Sequence, residues 1–329
     1  MNYNELPSRA EPVQAFATSH FIREIGRGIK GARSLSGSDA RELFQAILDG
    51  RVSDLELGAI MLAMRIKGES VDEITGFLQA AEASLALLQT PQSDFMPIVI
   101  PSYNGARRVA NLTPLLALLL SRAGAPVLVH GVLQDAGRVT SAEIFQELGV
   151  VPAMTHRQAE QTMQQGLPVF MAIENLAPRL SELLALRKIL GLRNSTHTLV
   201  KLLQPFQQPA LRLTSYTHPE YASMLSRYFS DAADSRRGPV LLMRATEGET
   251  VASTKKVQQI EWFHDGAQST LVEAQPGTDL NLSIPADAPG TAAWIRQVLD
   301  GTVPVPENIA EQVRHILMAA KYNKVNSFE

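Results

Sequence analysis

The sequence predicts an α/β protein in two parts: a small, mainly helical N-terminal domain over residues 1–91 and a larger α/β domain over 92–329 with a mainly parallel sheet. Three observations carry this. Three amphipathic segments between residues 36 and 81 each open on a serine with an acidic residue three positions later. Between residues 97 and 246, short apolar runs alternate with helical patterns, the order expected of a parallel sheet covered on both faces. A chain of 329 residues with 45% hydrophobic content can bury a sizeable core, and more than one domain is expected.

Residues 1–19 have little periodicity and read as a loose arm. From Phe21 to Arg33, the cations Arg23, Arg27 and Lys30 fall at i, i+4 and i+7, one stripe if the segment is helical. Three glycines in it weaken that helix. Both readings of the stripe stay open, a solvated face or a phosphate-contacting strip. Ser36 with Asp39, Ser53 with Glu56 and Ser70 with Glu73 have capping-box spacing, in which side chains satisfy the free N–H groups of a helix start. The apolar sets that follow are Ala40, Leu43, Phe44 and Ile47; Leu57, Ile60, Met61 and Met64; and Ile74, Phe77, Leu78 and Ala81. All have helical spacing, Gly50 and Gly68 stop the first two helices, and the methionines read as core. The helical domain ends near Thr90-Pro91.

The second domain opens with one βαβ unit, Ile98 to Gly131. The apolar run Ile98–Ile100, closed by Pro101, reads as a buried strand. The polar turn Ser102-Tyr103-Asn104-Gly105-Ala106-Arg107-Arg108 leads to a helix start at Asn111-Leu112-Thr113-Pro114, with Thr113 as cap and Pro114 in the first turn. Gly124 ends the helix, and Pro126 to Val129 is the next strand. Ligands bind such units at the carboxyl ends of strands, beside helix N-termini whose free N–H groups suit anions. Arg107 and Arg108 stand there, an anion site in outline. Further along, Thr140 with Glu143 caps a helix running to Gly149, and a short helix follows near Thr155–Gln165. Pro168–Ile173 reads as a strand, and a long helix spans Pro178–Leu190. A turn and short helix cover Arg193–Lys201. Strands are expected at Ala210–Tyr216 and Pro239–Met243, with a helix from Pro219 between them. Asp265-Gly266 between apolar runs is a hairpin signal. Helices Ala292–Leu299 and Glu307–Tyr322 close the chain.

Composition narrows the function. A formal net charge of −3 confines any nucleic-acid surface to a local patch, and the absence of cysteine excludes disulfides and thiolate metal sites. The polar start and the lack of a long apolar run predict a cytoplasmic protein with no membrane partner. No H-E-x-x-H, Walker, G-x-S-x-G or dinucleotide pattern occurs. His130, ending a strand beside Gly131, reads as either a site residue or a structural hydrogen-bonder, and His197, between Arg193 and Lys201, is ambiguous in the same way. Glu247 and Glu249 in ATEGET stand where a metal–phosphate site would lie in an α/β fold, or mark an ordinary acidic strand end.

The segments AMRIKGESVDEI, NLTP, VHG, SAEIFQELG, ILGLRNSTHTLVKLLQP and RATEGE, in this order over nearly the whole chain, resemble the anthranilate phosphoribosyltransferases and their glycosyltransferase family 3 relatives. The resemblance implies the nucleoside phosphorylase/phosphoribosyltransferase type of fold and a homodimer formed through the helical domain. Asn111 and Thr113 match the family's N-x-S-T, and Arg187 matches an arginine near its aromatic-acid site. Tyr103, Asn104, Gly105, Asn111, Thr113, His130, Gly131, Arg187 and His197 would then outline the former substrate pocket. Three departures bear on activity. The family's phosphate loop G-T-G-G-D becomes SYNGARR, with only Gly105, so Tyr103, Arg107 and Arg108 obstruct a cradle that needs close backbone approach. Its K-H-G becomes Val129-His130-Gly131, without the lysine. Its acidic pair that holds Mg²⁺ becomes Gly248-Glu249.

SYNGARR, NLTP, VHG, RNSTHT, THPEY and TEGE resemble most the divergent YbiB-type branch of that family, which implies a homodimeric nucleic-acid-binding protein with no cofactor. Arg107, Arg108, Arg193 and Lys201 are expected to gather near the former cleft, with Arg23, Arg27 and Lys30 lining its mouth and an acidic opposite face. Tyr103 and His197 are candidates for stacking on unpaired bases. Without a major-groove reader, single strands and little sequence preference are expected. The competing expectation is phosphoribosyl transfer to anthranilate or a related aromatic acceptor, which would require Mg²⁺.

Overall fold

The computed structural model describes residues 14–28, 30–276 and 282–321, so the first thirteen residues of the expected arm, and Tyr322 of the last expected helix, lie outside the described residues. Four helices come first: α1 (Ser19–Ile25), α2 (Gly37–Leu48), α3 (Asp54–Lys67) and α4 (Val71–Ala83). Ser53 and Ser70 form full capping boxes with Glu56 and Glu73, as their spacing predicts. Ser36 accepts from the Asp39 N–H, but the shorter aspartate does not return the bond. Except for half-buried Leu57, the predicted apolar faces are buried, Met61 and Met64 among them. α2 and α4 touch where a Cβ on Gly76 would come within 2.2 Å of the Gly37 carbonyl oxygen. The cationic stripe is corrected. α1 stops at Ile25, so Arg27 and Lys30 lie beyond it, and Arg27 turns back to pair with Glu24 at 2.5 Å. Gly26 and Gly28 outweigh the i, i+4, i+7 spacing, because glycine stabilises the coil more than the helix.

The second part alternates as expected: β1 (Ile98–Ser102), α5 (Thr113–Arg122), β2 (Val127–Gly131), α6 (Ser141–Glu147), α7 (His156–Gln164) and β3 (Val169–Ala172). Next come the short α8 (Ile173–Leu176), α9 (Pro178–Ala185), α10 (Arg187–Leu190) and α11 (Thr196–Leu199), then β4 (Leu211–Tyr216), α12 (Pro219–Arg227) and β5 (Val240–Arg244). The hairpin β6 (Ile260–His264) and β7 (Ala267–Val272) precedes α13 (Ala288–Leu299) and α14 (Glu307–Ala320). Sheet order is β3-β2-β1-β4-β5-β6-β7, parallel through β5 and antiparallel beyond. Asp265 and Gly266 both have positive φ, 48° and 74°, as a two-residue hairpin turn requires.

Three local expectations change. β1 runs through Pro101 to Ser102, because proline lacks only a donor and its φ is compatible with extended backbone. Thr113 does not cap α5; its N–H is received by the Asn111 side chain at 3.2 Å, while its hydroxyl turns to Glu249. The long helix expected from Pro178 breaks at Leu186 into α9 and α10.

One core lies between the helical layer and the sheet and takes in Leu180 and Leu183 of α9 and Leu199 of α11 together with α2–α4. A second lies beneath α5, α6, α13 and α14, and a smaller third joins Val99, Leu128 and Met171 of the sheet to Met163 of α7 and Phe206. Because β2 and β4 flank β1 on opposite sides, the chain reverses direction across the sheet between β1 and β4, and their carboxyl ends form a topological switch point, where open α/β sheets bind ligands. β1 and β2 end in unusually close contact, since a Cβ on Gly131 would lie 1.8 Å from the Ser102 oxygen.

Candidate functional site

The loop after β1 meets the turn after β5 at this switch point. Backbone N–H groups of Asn104 and Gly105 donate to Glu249 Oε1 at 2.9 and 2.6 Å. Those of Arg107 and Arg108 donate to Glu247 Oε2 at 2.6 and 2.9 Å. The Asn104 amide donates to the Gly248 carbonyl at 2.7 Å, and Arg193 donates to Asn104 Oδ1 at 2.7 Å. Arg138 adds bonds to the Gly105 and Glu247 carbonyls, both at 3.2 Å. Gly105 takes φ 63°, and a Cβ there would press on the Val139 oxygen at 2.7 Å, so glycine is required. Asn111 serves the same framework, donating to Ser141 at 3.1 Å.

Two concavities flank this loop. The outer one, about 450 Å³, brings together Arg107, Arg108, Arg138, Arg244 and Lys256 around Glu247. Arg107, Arg108, Arg244 and Lys256 are exposed and Arg138 is half-buried. The inner cleft, about 580 Å³, lies between the loop and α9–α11 and is lined by Tyr103, Arg187, Lys188, Arg193, His197 and Lys201. A smaller chamber of about 140 Å³ shares Arg193, His197 and Lys201 and reaches Arg65 and Tyr221.

Burial governs the chemistry of the inner cleft. It lowers Lys201 to about 8, against a weaker opposing pull from Glu249. It lowers His197 to about 4, helped by the adjacent Arg193 cation. Burial, then the neighbouring Arg187 and Arg138 guanidiniums, also draw Arg193 below the usual arginine range. His130 is fully buried and pushed down to about 3, so its ring is neutral; its Nδ1 shares a hydrogen bond with the Tyr103 hydroxyl at 2.7 Å. Burial raises the Tyr103 hydroxyl well above the ordinary range. That bond ties Tyr103 to His130 in an edge-on contact, which confines any stacking by Tyr103 to the cleft.

The four cations expected at one cleft therefore divide into two pairs. Arg107 and Arg108 face the outer concavity, while Arg193 and Lys201 line the inner cleft with Arg187 and His197. Arg23, Arg27 and Lys30 line neither. The sequence reading does not include Arg138 after β2, Arg244 at the end of β5 and Lys256 beyond it, nor Lys188 of the inner cleft and Arg65 of the smaller chamber. Arg244 carried one usable signal, since it ends a strand at the ligand-binding edge of the sheet.

The fold family implies Mg²⁺ at the acidic pair. Glu247 and Glu249 do not fit a shared cation, because each directs an oxygen at a different pair of loop N–H groups. Backbone N–H groups, joined at Glu249 by the Thr113 hydroxyl, take up these oxygens.

Residues 19–84 match the glycosyl transferase family helical bundle domain. The chain is 44% identical over 300 residues to the uncharacterized protein YbiB of Escherichia coli, covering 91% of this chain and 92% of that one. It is 26% identical over 285 residues to an anthranilate phosphoribosyltransferase of Methylocella silvestris, covering 84% and 79%. In three dimensions it resembles the anthranilate phosphoribosyltransferase of Thermus thermophilus, with a TM-score of 0.67 at 21% identity over 90% of this chain and 89% of that one. The Saccharomyces cerevisiae enzyme in complex with PRPP and Mg gives 0.65 at 15% identity, covering 92% and 86%. Among the described residues no helix is long and apolar enough to cross a membrane. On the 44% identity to YbiB over nearly the full length of both chains, with the helical-domain match, the chain belongs to the YbiB-type branch of the anthranilate phosphoribosyltransferase-like, glycosyltransferase family 3 proteins.

Proposed function

We propose that this protein binds nucleic acid, single strands in preference to duplex and without sequence preference, on a degenerate phosphoribosyltransferase scaffold. The observation that carries the reading is the outer concavity, whose wall gathers five cations and the single carboxylate of Glu247, with four of the cations exposed. That carboxylate is already engaged by backbone N–H groups, so the side-chain charges remain available to an external polyanion. Cations meeting phosphates release counterions, and affinity then falls with salt. Five contacts on a single strand correspond to a slope of about −3.5 in log K against log salt. The inner cleft adds two further exposed cations, Arg187 and Lys188, toward which the strand would continue.

A homodimer is part of the same proposal. Leu55, Leu62 and Ile66 are exposed on α3 at 85, 46 and 57%, an apolar strip spaced along one helix face. Pairing two copies through the helical layer would cover it and present two basic concavities.

The transferase reading is favoured by one observation, the preserved inner cleft with Arg187 at its wall. Against it stands the loop itself: the Asn104 and Gly105 N–H groups are held by the buried Glu249, and a tyrosine and two arginines stand where a phosphate cradle needs small residues. Titrating a fluorescent single-stranded oligonucleotide at two salt concentrations tests the first reading; salt-independent or absent binding rejects it. Mg²⁺-dependent loss of anthranilate fluorescence with phosphoribosyl pyrophosphate would establish the second.

A further inference from the structure

The two carboxylates on the loop are not equivalent. Glu249 is 1% exposed, receives the Thr113 hydroxyl at 3.5 Å as well as two N–H groups, and is part of the interior. Glu247 stands at the wall of the outer concavity, among Arg107, Arg108, Arg138, Arg244 and Lys256. It is delivered there by a tight turn. Thr246 and Glu249 exchange backbone bonds at 3.0 Å in both directions, and the two residues between them, Glu247 and Gly248, have φ of 51° and 100°.

Positive φ at both central positions is the pattern of a turn that favours asparagine, aspartate or glycine, and a glutamate occupies it at a cost. Gly248 cannot be relieved of its role, since a Cβ would lie 2.5 Å from the Asn104 amide nitrogen. The strained turn thus places one carboxylate on the paired N–H groups of Arg107 and Arg108. Burial works against that charge, but the Arg108 and Arg107 N–H groups and the Arg138 guanidinium outweigh it and hold the carboxyl below the ordinary glutamate range.

We propose that Glu247 is an internal stand-in for a phosphate: it fills an oxyanion seat formed by the Arg107 and Arg108 N–H groups, and an incoming phosphate displaces it. The seat has the chemistry of a phosphate site. Two adjacent backbone donors converge on one oxygen, as they would on one oxygen of a phosphate, and the surrounding side chains supply the countercharge. Glu247 therefore competes with the external ligand and sets how tightly it is held. Where that ligand is a nucleic acid, the inference rests on the binding function proposed above; the seat itself takes any accessible phosphate.

The test compares the full chain with its Glu247→Gln variant by isothermal titration calorimetry at fixed salt, using inorganic tripolyphosphate and, separately, a single-stranded oligothymidine. Replacing the charged competitor by a neutral one should tighten tripolyphosphate binding by about tenfold, the worth of a charge-assisted hydrogen bond. Glu247→Asp keeps the charge but falls short of the N–H pair, and should also tighten binding. It serves in place of the glutamine variant if that one does not fold. In the wild-type protein, tripolyphosphate should shift the backbone amide NMR signals of Arg107 and Arg108. Unchanged or weaker tripolyphosphate binding in both folded variants, or binding that leaves those two amides unmoved, overturns the proposal. Tighter tripolyphosphate binding without oligonucleotide retention by any of the proteins would uphold the seat and reject the nucleic-acid reading. Oligonucleotide retention with no gain in either variant would reject the seat alone.

Discussion

The outer concavity and the inner cleft are both lined by cations and lie a single loop apart, yet they present charge in opposite ways. Outside, Arg107, Arg108, Arg244 and Lys256 project into solvent, where charge costs nothing to keep and is free to exchange counterions. Inside, burial lowers Lys201 to about 8 and His197 to about 4, and it opposes the charge of Arg193. A cation in water is available to a polyanion; one in a desolvated wall already stands at a disadvantage that a ligand would first have to relieve. Counting basic residues near a cleft does not distinguish these cases. Their depth does.

The sharpest way to break this contrast is charge reversal on each side. Arg107→Glu with Arg108→Glu should weaken single-strand binding by at least about 100-fold at low salt, through lost counterion release and direct repulsion. Arg193→Gln should leave it within about threefold, since one buried wall charge contributes little to the salt-dependent part. Fluorescence anisotropy on both variants measures this, and equal losses would erase the distinction between the two concavities.

Stability should respond the other way round. Lys201→Met removes a buried amine whose charged form is disfavoured, and should raise unfolding free energy by roughly 2 kcal/mol at pH 7. The sign follows from its lowered folded value. In the wild type the penalty is fully present below about pH 8 and disappears as pH rises toward the unfolded value. The advantage of the variant should therefore shrink above pH 8. Lys256→Met, in solvent, should change stability by less than about 0.5 kcal/mol. Urea denaturation at pH 7 and pH 10 separates the two.

A third measurement follows acid. His130 and His197 are held neutral, at about 3 and about 4, against an unfolded value near 6.5. The unfolded chain binds more protons over that window, so their contribution is complete above about pH 6.5 and is lost progressively as pH falls toward 4. His130→Asn should flatten the stability–pH curve by about one proton over that range, whatever its effect on absolute stability. An unchanged slope would mean that the ring is not buried neutral.

The smallest effect expected is on ionic-strength dependence. Lys256→Gln should reduce the salt slope of single-strand binding by about 0.7, and Lys188→Gln should reduce it by the same amount only if the strand continues into the inner cleft. Association of copies gives an independent check on the helical layer. Leu62→Glu with Ile66→Glu should leave a folded monomer by light scattering if α3 forms the contact, and an undisturbed oligomer would place the contact elsewhere.

Much of the architecture was legible in local signals. Ser53 and Ser70 mark helix starts because capping is a contact between residues three apart, and Asp265-Gly266 marks a hairpin because its two φ angles are a property of those residues alone. The apolar faces of α2 and α4 and the alternation of strands with helices follow from side-chain periods of 3.6 and 2. The stripe of Arg23, Arg27 and Lys30 shows where this fails: the cation spacing was visible, but the weak helix around it could not persist past Ile25. At the site, Arg107 and Arg108 were legible as residues following a strand, and Glu247 and Glu249 as carboxylates at the ligand-binding edge of the sheet. Arg138, Arg244 and Lys256 were not grouped with them, and the capture of both carboxylates by loop N–H groups had no local signal.

What the sequence determined by itself is therefore the list of elements, their caps and turns, and the family to which their order belongs, all set by interactions within a few residues or by motif order. The tertiary structure alone decided how the loop is held. Asn104 and Glu249 are 145 residues apart and meet only because β4 and β5 lie beside β1 in the sheet. Strand order is selected by packing of the whole domain, and it is strand order that turned two acidic residues onto backbone donors and left four cations facing outward.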